Sequence, residues 1–265
     1  RDVAPSRGLG DVYKRQDGTL LSSQRKPLDS TMKALKVLRE AGHLVTIATG
    51  RSRLLAGDVI HQLGCTNYII CNGSAGFLDH EQVYKHTLDR EALTRMIDFA
   101  TERKVDIMLF GLDSFGRVTD FDGEKVRNAM SSFGQQAPGY EPDYFSQHEV
   151  YQGCAFYDQS MDAEFEAAFP EFRLVRWHEN SVDIIPNPGS KAQTILALAK
   201  KVGIKPENIV TFGDGNNDIE MLNLAGTGVA MGNAANHVKD AANLVTDTND
   251  QDGIYKALRQ LELVH

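Results

Sequence analysis

The chain has little cysteine, no long apolar run and no cluster of basic residues. Its three cysteines, Cys65, Cys71 and Cys154, include no Cys-x-x-Cys pair. We therefore expect neither a disulfide framework nor a zinc site, and a reducing, cytoplasmic compartment. No apolar segment reaches the roughly 20 residues of a membrane-spanning helix. The net charge of -8 argues against nucleic acid and an anionic membrane surface as partners.

Apolar residues outside the middle of the chain follow an alternation of strands and helices. The 265 residues are enough for one large or two modest domains. The alternation predicts βαβ units and an α/β fold, a Rossmann-like, doubly wound parallel sheet. The predicted strands are 43–49, 68–71, 209–212, 228–231 and 244–245. The predicted helices are 31–41, 54–63, 190–202, 217–225, 234–242 and 252–261.

The middle of the chain has a different pattern. Its predicted strands are 83–88, 107–110, 152–157 and 181–185, and its predicted helices are 90–103 and 161–169. Residues 111–150 carry no assignable period. We expect an inserted α+β domain over 84–186, which divides the parallel core into 17–83 and 187–265.

The strongest chemical signal is the segment 209–218, IVTFGDGNND. Asp214, Asn217 and Asp218 follow a buried strand, and ligands of open α/β sheets bind beyond the carboxyl ends of strands. Two carboxylates and an amide are hard oxygen donors, which suit Mg²⁺ held together with a substrate phosphate. A surface turn whose aspartate caps the next helix is the alternative interpretation.

Two further segments carry groups that suit a phosphate. In TIATGR, Thr49 and Gly50 offer a hydroxyl and backbone N–H groups at a strand end. In PGSKAQ, Lys191 stands in the first turn of a helix, where the helix dipole disfavours a cation that has no anionic partner. A plain strand-to-helix turn and a solvated lysine are the alternatives.

A fourth segment, Asp17-Gly-Thr-Leu-Leu, is weak alone but completes an ordered set. In chain order, DGTLL, ATGR, the lysine after the insertion and GDGNNDIEML resemble the motifs of the haloacid dehalogenase (HAD) superfamily. The chain is most similar to the Cof-type (class IIB) hydrolases, a sugar-phosphatase-like group. The insertion lies where that family carries its α/β cap of the C2 type.

The resemblance implies a phosphoric monoester hydrolase that depends on Mg²⁺ and forms an aspartyl phosphate. Its expected substrate is a small phosphorylated metabolite, a sugar phosphate or a related compound, bound by a monomer or a homodimer. Asp17 would be the general acid and base, and its backbone carbonyl would bind the metal. Asp214 and Asp218 would complete the metal site. Four residues would hold the transferring phosphoryl group, and the lysine would also stabilise its charge during catalysis: Thr49, Gly50, Lys191 and Asn217.

The chain departs from the family pattern at its first motif. The pattern is an apolar strand followed by Asp-x-Asp-Gly-Thr, but Arg15 stands where the nucleophilic aspartate belongs. Residues 1–16, RDVAPSRGLGDVYKRQ, show no strand period, and charges at Lys14 and Arg15 are costly inside a sheet. We therefore expect an anomalous segment in place of the usual first strand.

Three interpretations of this departure stay open. The start of the sequence is foreign or misread, or the chain is a non-catalytic pseudoenzyme that binds phosphate compounds. The third is another nucleophile, for which Asp11 is the nearby candidate, although it is out of register with the motif. Arg15 cannot be the nucleophile under any of them, and we expect little or no phosphatase activity from the chain as printed.

The insertion contains several candidates for contact with the leaving group. Residues 178–180, His-Glu-Asn, precede the returning strand and would face the site or form a solvated loop. Three aromatic residues would either pack the core of the insertion or contact substrate: Phe115, Phe121 and Tyr144.

Overall fold

The computed structural model describes residues 18–132 and 134–265, and the backbone of residues 7–11. The described strands are β1 Arg7–Asp11, β2 Val45–Thr49, β3 Asn67–Ile70, β4 Ala75–Leu78, β5 Glu81–Lys85, β6 Asp106–Phe110, β7 Phe115–Arg117, β8 Gln152–Phe156, β9 Phe172–His178, β10 Ser181–Pro186, β11 Val210–Gly213, β12 Thr227–Ala230 and β13 Leu244–Val245.

The described α-helices have four to thirteen residues. They are α1 Asp29–Glu40, α2 Arg53–Gln62, α3 Arg90–Glu102, α4 Gly123–Ser132, α5 Tyr144–Gln147, α6 Asp162–Ala168, α7 Lys191–Lys201, α8 Ile219–Leu224, α9 Asn236–Lys239 and α10 Gly253–Gln260. None of the helices in the described ranges combines the length and the apolar character that a membrane-spanning helix needs.

The chain divides into two compact units. One unit contains the described residues up to 51, Leu55–Tyr84 and Ser190–His265, and the other contains Ser52–Leu54 and Lys85–Gly189. Each unit is built around its own sheet.

The sheet of the first unit has eight strands in the order β13-β12-β11-β1-β2-β3-β4-β5. The pairs from β13 to β3 are parallel, and β4 pairs antiparallel with β3. Strands β2, β3 and β11 are buried along their whole length, as expected for parallel strands covered on both faces. Helices α7 and α8 pack around Ala48 and Ile69. This architecture confirms the predicted α/β class.

The centre of this sheet differs from the sequence-based expectation. Arg7–Asp11 lies between β2 and β11 and pairs parallel with both, so a strand is present where none was predicted. Backbone groups carry the pairing in a sheet, so two parallel neighbours can hold a segment with only one apolar residue. Lys14, Arg15 and Asp17 lie outside the described residues.

The second unit contains an antiparallel sheet in the order β7-β6-β8-β10-β9. Helix α3 contacts β6, and α6 contacts β9. Tyr144 is buried in this core, and its hydroxyl accepts a hydrogen bond from the Gly111 backbone N–H at 2.8 Å. Residues 178–180 form the end of β9 and the turn to β10, and Phe121 is exposed. Tyr144 therefore packs the core of this unit.

Candidate active site

A short acidic loop follows β11 and is held together by one buried carboxylate. Asp218 is 0% exposed, and its Oδ2 accepts the backbone N–H groups of Asp214 at 3.1 Å and Gly215 at 3.0 Å. A Cβ at Gly213 would lie 2.5 Å from the Asp218 Cβ, so the strand end leaves no room for a side chain there. Asp218 thus fixes the backbone that presents Asp214.

Lys191 is the cationic partner of this carboxylate. Its Nζ lies 2.8 Å from Asp218 Oδ1, and both side chains are buried, at 1% and 0% exposure. Ser190 caps the N-terminus of α7, which places Lys191 at the first helical position. The anionic partner that the helix dipole demands is therefore Asp218, and the burial excludes a solvated lysine.

Gly18 and Thr19 from the first motif pack directly against Asp214. Thr19 Oγ1 donates to Asp214 Oδ1 at 2.5 Å, and Thr19 is buried. The Gly18 carbonyl accepts from Asn233 Nδ2 at 2.8 Å. A Cβ at position 18 would lie 2.5 Å from Asp214 Oδ2, so any larger residue would displace the Asp214 carboxylate. Asp17, the residue before them, lies outside the described residues.

Thr49 and Gly50 lie at the end of β2, and both are buried. The Arg51 backbone N–H donates to Thr49 Oγ1 at 3.1 Å, which closes the turn after the strand. β1 separates β2 from β11, so the ends of these two strands are roughly 10 Å apart at the usual strand spacing. Thr49 is in register with Asp11, the last residue of β1.

A residue that the sequence did not single out also joins this region. Asn72 Oδ1 accepts a hydrogen bond from Asn217 Nδ2 at 3.0 Å. Asn72 belongs to the turn Cys71–Gly73 after β3, in which all three residues have positive φ angles. Left-handed backbone costs about 1–2 kcal/mol per residue with a side chain. The Asn-Gly turn signal was visible in the sequence, but the contact with Asn217 was not.

The chain matches known proteins along most of its length. Residues 16–258 match the family model of the haloacid dehalogenase-like hydrolases. The chain belongs to this family. YkrA of Bacillus subtilis (strain 168) is 34% identical over 248 residues, which are 94% of this chain and 96% of YkrA. The pyridoxal phosphate phosphatase YbhA of Escherichia coli (strain K12) is 30% identical over 260 residues, which are 90% of this chain and 93% of YbhA.

Solved structures of the haloacid dehalogenase family share the fold. The structure of the HAD subclass IIB sugar phosphatase BT4131 superposes with a TM-score of 0.84 at 28% identity, and the match covers 98% of this chain and 100% of BT4131. The predicted resemblance to the Cof-type branch of the haloacid dehalogenase family is confirmed.

The donor set of this haloacid dehalogenase core fits Mg²⁺. Asp214 offers a carboxylate beyond the end of β11, and Asp218 lies behind it. Within residues 18–132 and 134–265, no three His, Cys, Asp or Glu side chains gather into a metal cluster. In proteins, Mg²⁺ is usually bound by one or two carboxylates, and backbone carbonyl, phosphate and water oxygens complete its coordination. Because Gly18 has no side chain, its backbone lies close to the Asp214 carboxylate, in space that a Cβ would otherwise fill.

Proposed function

We propose that this chain carries the site of an Mg²⁺-dependent phosphatase that acts on small phosphate monoesters, such as sugar phosphates or related metabolites. The observation that carries the proposal is the buried pair of Lys191 and Asp218 next to Asp214 at the carboxyl end of β11. Burial of a lysine raises its desolvation free energy, and the ion pair with Asp218 must offset that cost. A phosphoryl group is the anion that this arrangement suits.

In this proposal, Asp214 and the backbone carbonyl of Asp17 hold Mg²⁺, and Asp218 supports them. When bound, Mg²⁺ neutralises charge on the phosphoryl oxygens. Asp218 has one oxygen on the Lys191 ammonium and the other on two backbone N–H groups. Its role is therefore to orient the lysine and the Asp214 loop, in addition to any contact with the metal.

Lys191, Asn217, Thr49 and Gly50 would hold the phosphoryl oxygens. The Asp218 carboxylate holds the Lys191 ammonium group in a fixed position, and a cation close to the equatorial oxygens is the dominant aid in phosphoryl transfer. Asp17 would give a proton to the leaving oxygen and later take one from the attacking water.

Two relatives support the proposed substrate class. YbhA is named for pyridoxal phosphate and BT4131 as a sugar phosphatase, which supports a small phosphorylated metabolite. We further propose that Lys85–Gly189 takes the part of the family's cap and selects the leaving group.

A non-catalytic binding module with the same site is the second candidate. Position 15 holds arginine, and an aspartyl phosphate cannot form on a guanidinium group. The third interpretation, with Asp11 as the nucleophile, gains support from the position of β1, because this residue ends the central strand beside Thr49. These alternatives make different predictions for turnover.

The test compares three proteins with p-nitrophenyl phosphate, each with Mg²⁺ and with EDTA. They are the chain as printed, its Asp11→Asn variant, and a repaired chain with Arg15→Asp preceded by an apolar strand sequence. We expect Mg²⁺-dependent turnover from the repaired chain alone. Turnover by the printed chain that Asp11→Asn removes would assign the nucleophile to Asp11. If all three are folded and none turns over, the catalytic proposal is wrong and the binding module is favoured.

A further inference from the structure

The turn Cys71–Gly73 connects several segments of the proposed phosphate site. The Cys71 backbone N–H donates to the Arg51 carbonyl at 2.8 Å, which joins the turn to the chain after β2. The Gly73 carbonyl accepts from Thr194 Oγ1 in α7. A Cβ at Gly73 would lie 2.4 Å from the Ser190 carbonyl oxygen, so the turn packs closely on the start of this helix. The turn is therefore fixed from two sides.

The backbone of this turn places one polar side chain inside the site. Cys71 and Asn72 have φ angles of 51° and 54°, and Gly73 has 101°. Such conformations persist only where the surroundings determine them, and they cluster at functional sites. Asparagine tolerates the left-handed region better than most residues. Asn72 is 3% exposed, and its Oδ1 faces the amide of Asn217.

We propose that Asn72 is a positioning residue that fixes which end of the Asn217 amide is presented to the phosphate, an inference that rests on the proposed function. An amide group has a donor end and an acceptor end of nearly the same shape. Because Asn72 Oδ1 accepts from Asn217 Nδ2, the nitrogen end is held in place and its second N–H has a constant direction. An amide that could flip would present its oxygen to the phosphate oxygens, which are also acceptors.

Asn72→Gly is the variant that tests this role. Glycine adopts the left-handed backbone without strain, so the substitution removes the acceptor while the turn keeps its conformation. The full chain is titrated calorimetrically with inorganic phosphate in MgCl₂. We expect the dissociation constant to rise roughly three- to tenfold, the range for one lost hydrogen bond to a binding group, with little change in Tm. His80→Gly, also at a positive φ but exposed, is the matched control and should leave the constant unchanged.

A double-mutant cycle separates positioning from a general structural effect. If Asn72 acts through Asn217, Asn72→Gly has no further effect on phosphate affinity in an Asn217→Ala background. An equal loss of affinity in both backgrounds overturns the inference, and so does an Asn72→Gly variant with unchanged affinity.

A nuclear magnetic resonance measurement tests the contact independently of the ligand. The side-chain amide signal of Asn217 in the ¹⁵N-labelled full chain is identified by its loss in Asn217→Ala. We expect Asn72→Gly to shift it, while His80→Gly does not. An unmoved signal overturns the inference whether or not phosphate binds. If the signal moves but the unmodified chain binds no phosphate, the proposed function fails and the role of Asn72 in ligand binding fails with it.

Discussion

At the residue scale, Lys191 and Asp218 form an ion pair within the site. Both side chains are buried, so the loss of either partner leaves a charge without compensation. We predict that Lys191→Ala lowers the free energy of unfolding by roughly 3–5 kcal/mol. The pair Lys256–Asp247, whose side chains are 53% and 51% exposed, is the matched control, and Lys256→Ala should cost less than about 1 kcal/mol. Urea unfolding measures the free energy change of both variants, and equal losses would contradict the claim that the buried pair contributes more to stability than the exposed pair.

Two glycine positions should respond in opposite directions to the same substitution. Gly18→Ala would bring a Cβ to 2.4 Å from Asn233 Nδ2 and 2.5 Å from Asp214 Oδ2, so we predict a loss of about 1–3 kcal/mol and weaker Mg²⁺ binding. Gly57 in α2 has open space around it, and Gly57→Ala should stabilise the chain by roughly 0.5–1 kcal/mol. Thermal unfolding shows whether each variant is more or less stable than the unmodified chain. A stabilising Gly18→Ala would refute the close packing of Gly18 against Asp214.

The thiol of Cys154 predicts a loss of stability at alkaline pH. Burial raises its pKa well above the usual value of 9.0, and the adjacent Asp183 carboxylate raises the pKa further. Above pH 9 the unfolded thiol is deprotonated while the native thiol keeps its proton, so the free energy of unfolding falls as pH rises. Urea unfolding under reducing conditions should show a shallower fall for Cys154→Ala. If the free energy of unfolding falls equally with pH in both proteins, this thiol does not contribute to the pH dependence.

At the scale of elements, the buried parallel strands were predictable from the sequence. Helices and strands whose apolar residues form only a short or interrupted pattern were not. The apolar runs 43–49 and 209–212 contain most of β2 and β11. Helix α4 was missed because its apolar face is only Val126, Ala129 and Met130, too short a stripe to establish a period. β9 was missed because two arginines interrupt its alternation.

In the site, residues that belong to local motifs were predictable, whereas contacts between residues distant in the sequence were not. Glycine, acidic and amide residues after a predicted strand identified Asp214 and Asn217, and the first turn of a predicted helix identified Lys191. The contact between Asn72 and Asn217 joins residues 145 positions apart, and no local pattern encodes it. The strand at Arg7–Asp11 also depends on its neighbours, because its own sequence favours no strand.

The position of β1 gives a prediction of its own. A proline at position 9 removes a backbone donor from the middle of a central strand, whereas alanine keeps it. We predict that Leu9→Pro lowers the free energy of unfolding by about 1–3 kcal/mol more than Leu9→Ala does, because a buried acceptor loses its partner. Equal unfolding midpoints in urea would show that this strand does not pair at the centre of the sheet.

At the scale of the whole molecule, the fold brings distant segments of the chain to one edge of the core sheet. The segments after β2, β3 and β11 and the start of α7 are connected there by hydrogen bonds and one ion pair. A net charge of -8 leaves the chain without a general attraction for anions, so the proposed affinity for phosphate would have to come from this local arrangement together with Mg²⁺.

Calorimetric titration of the printed chain with inorganic phosphate, in MgCl₂ and in EDTA, tests this account most directly, because binding, unlike turnover, does not require a nucleophile at position 15. The account predicts binding that requires Mg²⁺ and is lost in Asp214→Asn, while the folded control Lys256→Ala binds as the unmodified chain does. Binding that is equally strong in EDTA and unaffected by Asp214→Asn, or no binding at all, would contradict it.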